Sequence, residues 1–170
     1  MLKMVGAALL LAGGVGLGLS AVGRLDRRVT ALRSLTEALE LMERELDFRL
    51  PPMKDLIRET AERSAQPASG FLRACAEKMD VWEGQPMSGL WQQAALEQLP
   101  ALKPCDLEAL FSVGAVLGRY DAESQRGVIS AARDRLSGFL ADAVEERRRQ
   151  GRVYGALGAT AGAFLVILLL

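Results

Sequence analysis

Residues 29–50 read VTALRSLTEALELMERELDFRL, and this stretch decides the fold class. Leucine and methionine recur in it at intervals of three and four residues, the spacing that places side chains on one face of an α-helix. The intervening positions are rich in glutamate and arginine, so the opposite face is polar. Pro51 and Pro52 follow directly, and proline ends a helix. The stretch therefore predicts an amphipathic helix with one face on an apolar core.

The rest of residues 24–152 continues in the same way, and none of it shows the alternation typical of a β-strand. The further helices are predicted at residues 53–64, around Phe71, around Leu90 and ending before Pro100, from Pro104 to Gly118, and from Asp121 onward. Glycine is well suited to a left-handed helix end, and aspartate to a helix start. This pattern predicts an all-α bundle of six helices.

Two uncharged segments, residues 4–23 and 153–170, flank this region. About twenty helical residues span the ~30 Å hydrocarbon core of a bilayer. The glycine-rich GGVGLG at residues 13–18 lies inside the first segment, so it lacks the preceding strand and the Gly-Lys-Ser/Thr ending of a phosphate-binding loop. Basic residues follow the first segment and precede the second, which favours a cytoplasmic location for the region between them. We therefore predict transmembrane segments at residues 1–23 and 153–170 and a cytoplasmic helical domain at residues 24–152.

Each flanking segment also contains a G-x-x-x-G pair: Gly14 with Gly18, and Gly158 with Gly162. Such pairs allow membrane helices to approach closely, within one chain or between copies in a homo-oligomer. Glycine is also common in membrane helices in general, so both interpretations stay open.

The composition argues against several classes of function. The chain has 21 basic and 21 acidic residues and no histidine. Without excess positive charge it does not look like a nucleic-acid binder. Without histidine it lacks the commonest general base and metal ligand, and no hydrolase, zinc or nucleotide motif is present. Cys75 and Cys105 lack C-x-x-C spacing and are expected to be reduced, packed thiols. We expect no catalytic, cofactor or metal site.

Two stretches carry a resemblance to a known family. LRSLTEALELMERELDF at residues 32–48 and LEALFSVGAVLGRYDAESQ at residues 107–125 resemble the two characteristic stretches of the stage III sporulation protein AB family. The family pattern in the second stretch is a glycine, a Leu-Gly pair, an aspartate and a glutamine. The matching positions here are Gly114, Leu117, Gly118, Asp121 and Gln125. One departure is LPPM at residues 50–53, where the family more usually has threonine, proline and leucine.

The resemblance implies a fold and a role. The family's domain resembles the six-helix F-domains of type II secretion and type IV pilus platform proteins. The implied role is a non-enzymatic membrane platform in the channel complex that links mother cell and forespore during endospore formation. The implied partners are the AA protein of that complex, which resembles secretion ATPases, the other membrane components, and the lipid bilayer. The implied location is the mother-cell-derived membrane around the forespore.

The five matching positions are the candidate partner-binding residues. Each also has a structural interpretation: Gly118 ends a helix, Asp121 caps the next one, and Leu117 fills the core. Gln125 is the one expected to face a partner. A membrane-anchored helical adaptor or signalling protein is the alternative function, and a membrane enzyme would need a catalytic constellation that the sequence does not show.

Overall fold

A computed structural model describes residues 2–49, 51–81, 86–118 and 121–169, with side chains described from Gly23 to Val153 except at residues 122 and 152 within these ranges. Every regular element in the described part is an α-helix. In chain order the helices are α1 (Leu2–Phe48), α2 (Met53–Arg63), α3 (Ala68–Asp80), α4 (Met87–Gln98), α5 (Pro104–Val116) and α6 (Ala122–Leu169). The prediction of an all-α fold with six helices is confirmed.

The predicted division at residues 23/24 and 152/153 falls inside helices. Both α1 and α6 continue across these positions without a break. They are 47 and 48 residues long, whereas α2 to α5 have 11 to 13 residues each. The three-part division of the chain stays a prediction.

The long helices α1 and α6 lie antiparallel. Glu43 of α1 contacts Arg133 of α6 at 2.6 Å, and Asp47 contacts Arg126 at 2.6 Å. A later residue of α1 thus meets an earlier residue of α6. The short helices pack in sequence, with α2 on α3, α3 on α4, α4 on α5 and α5 on α6, and α1 also covers α2 and α3.

The core forms between α1 and the short helices, as the periodicity of residues 29–50 predicts. Leu32, Leu35, Leu39 and Met42 are each at most 2 % exposed. Opposite them lie the rings of α3 and α4: Phe71 and Trp91 meet edge to face, with centroids 4.7 Å apart. These residues hold the short helices on one side of α1.

The bundle has two ends, which we name by what they contain. At the turn end, the pair Asp47–Arg126 joins the end of α1 to the start of α6, close to the turn between α5 and α6. At the network end, Arg28 of α1 and Glu146 of α6 meet the start of α5.

The predicted membrane localisation with two spans is contradicted. Among the residues that the structure describes, no helix has a stretch long and apolar enough to cross a membrane. Where side chains are described, from Gly23 to Val153, both long helices carry charges: Arg24, Asp26 and Arg27 in α1, and Glu145 and Arg148 in α6. The side chains of residues 4–22 and 154–170, on which the prediction rested, lie outside those described.

Candidate functional site

The five residues that the resemblance indicates all lie around the turn between α5 and α6. Gly114 and Leu117 are buried near the end of α5, and Gly118 follows in the turn. Asp121 directly precedes α6, and Gln125 lies one turn inside it. The structure thus brings the five residues to the turn end, but of these five only Gly118 and Asp121 are exposed.

At Gly114, the backbone of α5 lies against a side chain of α4. A Cβ atom on Gly114 would come within 2.5 Å of the Trp91 side chain, which is closer than such atoms approach. The indole Nε1–H of Trp91 donates a hydrogen bond to the carbonyl of Leu110, at 2.9 Å. Trp91 is 0 % exposed, and its one polar group is therefore satisfied inside the core. Gly114 therefore has a packing role in the core.

Gly118 is required for its backbone conformation. Its φ angle is +77°, in the left-handed region that side-chain-bearing residues rarely adopt. A Cβ atom on Gly118 would meet nothing within 4 Å, so crowding is not the constraint. Just before it, Leu117 is 1 % exposed, and its N–H donates to the Val113 carbonyl at 3.1 Å. The prediction that Gly118 ends the fifth helix is confirmed.

Gln125 is buried, contrary to the expectation that it faces a partner. The residue is only 8 % exposed. Its backbone N–H donates to the carbonyl of Asp121 at 3.0 Å, which closes the first turn of α6. Ile129, Ala132 and Leu136 continue the same face at spacings of four, three and four residues, and each is at most 1 % exposed. The helical register, rather than the polar amide, decides where Gln125 points.

A buried ion pair that the sequence did not predict joins α1 to the start of α5. Arg28 donates from Nε to Oδ2 of Asp106 at 2.8 Å and from Nη2 to Oδ1 at 2.9 Å. The side chain of Asp106 is 0 % exposed and that of Arg28 is 6 % exposed. Two parallel charge-assisted bonds fix the relative orientation of the two groups as well as their distance.

Asp106 also caps α5 from within the first turn of that helix. The backbone N–H of Lys103 donates to its Oδ2 at 2.8 Å, and Pro104 occupies the first turn, where its missing N–H does no harm. A carboxylate in the first turn is further favoured by the helix dipole. The buried carboxylate of Asp106 thus accepts three N–H hydrogen bonds, which satisfies its charge without water.

The long helix α6 joins the same group of charges. Glu146 lies 3.6 Å from Nη1 of Arg28 and 3.1 Å from Nζ of Lys103. Next to it, Arg147 pairs with Asp26 of α1. We call these residues the ion-pair network: Asp26, Arg28, Lys103, Asp106, Glu146 and Arg147. It connects α1, the start of α5 and α6 at one point.

The electrostatics of the network suit a fixed link rather than proton transfer. Burial acts to raise the pKa of Asp106, but the hydrogen bonds from Arg28 and from the Lys103 N–H outweigh it and hold that pKa below its usual range. The same hydrogen bond raises the pKa of Arg28. Both groups therefore stay charged at neutral pH. General acid–base chemistry needs a group whose pKa is close to the working pH, and the pKa values of Asp106 and Arg28 are both shifted away from neutrality.

Sequence reasoning missed the network for a physical reason. Arg28 is one of the basic residues that follow the first uncharged segment, and Asp106 lies in the first turn of the helix predicted from Pro104. The two residues are 78 positions apart, and a single sequence carries no mark of a contact at that separation. The capping role of Asp106 does have a local sequence signal, because a proline followed two residues later by an aspartate is typical of a helix start with a capping carboxylate.

The two cysteines are both free thiols, but they differ in environment. Cys75 is buried, and burial raises its pKa to about 12. Cys105 is exposed in the first turn of α5, which contradicts the expectation of a packed thiol there. Among the described residues, no group of histidine, cysteine, aspartate or glutamate side chains lies close enough together to hold a metal ion.

Comparison with known proteins gives one consistent result. The sequence profile of the family described as "Stage III sporulation protein AB" matches residues 3–170. A curated protein of that name from Bacillus subtilis (strain 168) is 27 % identical over 178 residues and is covered, like this chain, over 100 % of its length. A solved structure titled "Stage III sporulation protein AB (SpoIIIAB)" is 26 % identical, with a TM-score of 0.63, over 72 % of this chain and 98 % of that one. The chain belongs to the stage III sporulation protein AB family.

Proposed function

We propose that this chain is a non-enzymatic platform component of the channel complex of endospore formation, which docks a secretion-type ATPase and passes its conformational changes to α1 and α6. Membership in the family supports a role in sporulation. The docking and platform role rests on the likeness of this family to secretion platform proteins with six-helix F-domains. The proposed partner is the AA protein of the same complex, which resembles secretion ATPases.

The observation that carries the proposal is the position of the ion-pair network. A helix of 47 or 48 residues is roughly 70 Å long, whereas α2 to α5 span only about 20 Å each. The long helices therefore extend well past the short ones. The network holds the start of α5 to α1 and α6 on the side from which the long helices extend.

The geometry of the network makes it an effective mechanical link. Arg28 and Asp106 are joined by two parallel hydrogen bonds in a site with little water, where such bonds are strong. A shift of α5 must either break these bonds or move α1 with it. Packed elements tend to switch between discrete arrangements rather than deform smoothly. A displacement caused at the short helices therefore reaches the long ones.

The proposal is tested by titrating the full-length chain against the purified AA-type ATPase, with and without ATP. We expect saturable binding and, on addition of ATP, a change in amide hydrogen exchange at residues 24–30 and 144–150, which flank the network. Absence of binding in both conditions contradicts the docking role. Binding without any change in exchange at these residues contradicts the coupling role.

A pair of matched variants separates coupling from binding. Asp106→Asn keeps the size of the side chain and an acceptor for the Lys103 N–H but removes the charge that holds Arg28. We expect it to bind the ATPase like the wild type and to lose the ATP-dependent change in exchange. Asp142→Asn is the control, because Asp142 is an exposed residue of α6. If Asp106→Asn responds to ATP as the control does, the network is not the route.

A further inference from the structure

Two apolar side chains at the turn end extend into solvent. Phe48 is 84 % exposed and Val81 is 79 % exposed, more than any other large apolar residue among those described. A single exposed apolar side chain is ordinary, but an aromatic ring held almost wholly in water at the end of a folded domain is typical of a contact surface.

Both residues belong to the same end of the bundle. Phe48 is the last residue of α1, next to the ion pair that joins α1 to the start of α6. Val81 follows the last residue of α3, Asp80, which pairs with Lys54 in the first turn of α2. Since α2 begins five residues after Phe48, the ends of α1 and α3 and the start of α6 all lie at the turn end.

Within the described part of the turn end, the basic residues are paired with carboxylates, but some of the carboxylates have no basic partner. Three basic residues described at this end each contact a carboxylate: Arg49, Lys54 and Arg126. Three of its exposed carboxylates have no ion-pair partner among the described residues: Asp55, Asp121 and Glu123. Among the described residues of this end, the charge that remains available to another molecule is therefore negative.

We propose that the turn end is the surface that docks the ATPase, and that it binds a segment with apolar side chains flanked by lysine or arginine. The inference rests on the proposed function and adds the docking face and the chemistry of the partner segment. Phe48 and Val81 are the apolar anchors, and the unpaired carboxylates attract the basic flanks. Of the five family positions, the two that are exposed, Gly118 and Asp121, lie at this end.

The position of this surface fits the route proposed for coupling. Helix α5 begins at Pro104, has Asp106 of the ion-pair network in its first turn, and ends at the turn end just before Leu117. Its 13 residues bridge about 20 Å between the docking surface and the network. A partner on the turn end pushes on one end of α5, while the other end is held to α1 and α6.

The apolar half of the surface is tested with the full-length chain by measuring its affinity for the purified ATPase. We expect the double variant Phe48→Ser with Val81→Ser to bind roughly tenfold or more weakly, as for the loss of central apolar anchors. The matched control is Leu96→Ser. Leu96 is also exposed, at 60 %, but it lies near the end of α4. The residues that follow α4 line a groove together with Asp26, which belongs to the network end. The control should bind like the wild type.

The charged half is tested by Asp121→Asn with Glu123→Gln. Asparagine is as good a residue as aspartate at a helix start, so the fold of α6 is kept while two charges are removed. At low salt we expect this variant to bind the ATPase more weakly than the wild type does. At about 0.5 M salt, where exposed charges are screened, the two should bind equally well. Asp142→Asn removes an acidic charge of α6 at the opposite end and should leave binding unchanged.

The outcomes separate this inference from the proposed function. If the wild-type chain does not bind the ATPase at all, the proposed function fails. If the wild type binds and the turn-end variants bind equally well, the docking face is elsewhere and only the inference fails. If the serine variants abolish self-association of the chain and leave ATPase binding intact, the surface takes a second copy, and the inference is overturned. Circular dichroism checks that each variant is folded. If the double serine variant is not folded, the single variant Phe48→Ala is used in its place.

Discussion

The two ends of the bundle distribute polar and apolar groups in opposite ways. At the network end, the charges of Arg28 and Asp106 are buried. At the turn end, the apolar side chains of Phe48 and Val81 are exposed. The buried charges are hydrogen-bonded to each other, and Asp106 also to the Lys103 N–H, whereas the exposed apolar groups are covered by none of the described residues. The first end is therefore complete by itself, and the second is suited to a partner.

The largest effect is expected from breaking the buried pair. Asp106→Ala leaves the guanidinium of Arg28 buried without its charge partner and removes the cap of α5, so we expect a loss of about 3–5 kcal/mol in the free energy of unfolding. Urea unfolding of the full-length chain, followed by circular dichroism, measures it. Asp142→Ala, at an exposed position, should change stability by no more than about 0.5 kcal/mol. Equal effects of the two substitutions would show that the network end is no more tightly held than the surface.

The dependence of stability on acid pH tests the network end without the cavity that Asp106→Ala leaves. The pKa of Asp106 is lower in the folded chain than in an unfolded one, so its contribution is complete above the unfolded value of about 3.9 and is lost as the pH falls towards the folded value. The wild type should therefore lose more stability than Asp106→Asn when the pH is lowered from about 5 to about 2.

This comparison isolates one carboxylate. Asp80 and Glu97 also have lowered pKa values, caused first by hydrogen bonds from Lys54 and Lys78, but they contribute equally to both proteins. Parallel curves for the wild type and Asp106→Asn would mean that the ion pair does not hold the pKa of Asp106 down.

At the turn end, the main structural cost should lie in the backbone. Gly118→Ala places a side chain at a φ of +77°, which costs about 1–2 kcal/mol for a residue other than glycine. Gly118→Asn should recover part of this loss, because asparagine tolerates the left-handed conformation. The space around Gly118 is open, so the loss comes from the local backbone conformation and not from contact with neighbouring side chains. A stabilised alanine variant would show that the turn adopts another conformation in solution.

The elements that the sequence predicted well are those set by local chemistry. The start of α2 at Met53 follows from Pro51 and Pro52, and the end of α5 follows from Gly118. The apolar stripe of residues 29–50 gave the buried face of α1, because side chains three and four positions apart share a helix face whatever their surroundings.

The features that the sequence did not predict depend on contacts between distant residues or on one misleading residue type. Arg28 is basic and follows an apolar segment, which favoured a flank role, yet its partner lies 78 positions away. Gln125 is polar, which favoured exposure, yet it occupies the apolar face of α6 with Ile129. In both cases the side chain's type suggested solvent, and the packing of the helices placed it inside.

The smallest effect is expected for the residue that the docking proposal needs most. Phe48 is 84 % exposed, so Phe48→Ser removes little buried surface and should change the free energy of unfolding by no more than about 0.5 kcal/mol. Urea unfolding under the conditions used for Asp106→Ala measures it. With stability unchanged, a loss of ATPase binding by Phe48→Ser reports a lost contact rather than a lost fold. A destabilisation of more than about 1 kcal/mol, the range of buried side chains, would instead mean that Phe48 packs on its own chain and that the turn end is closed.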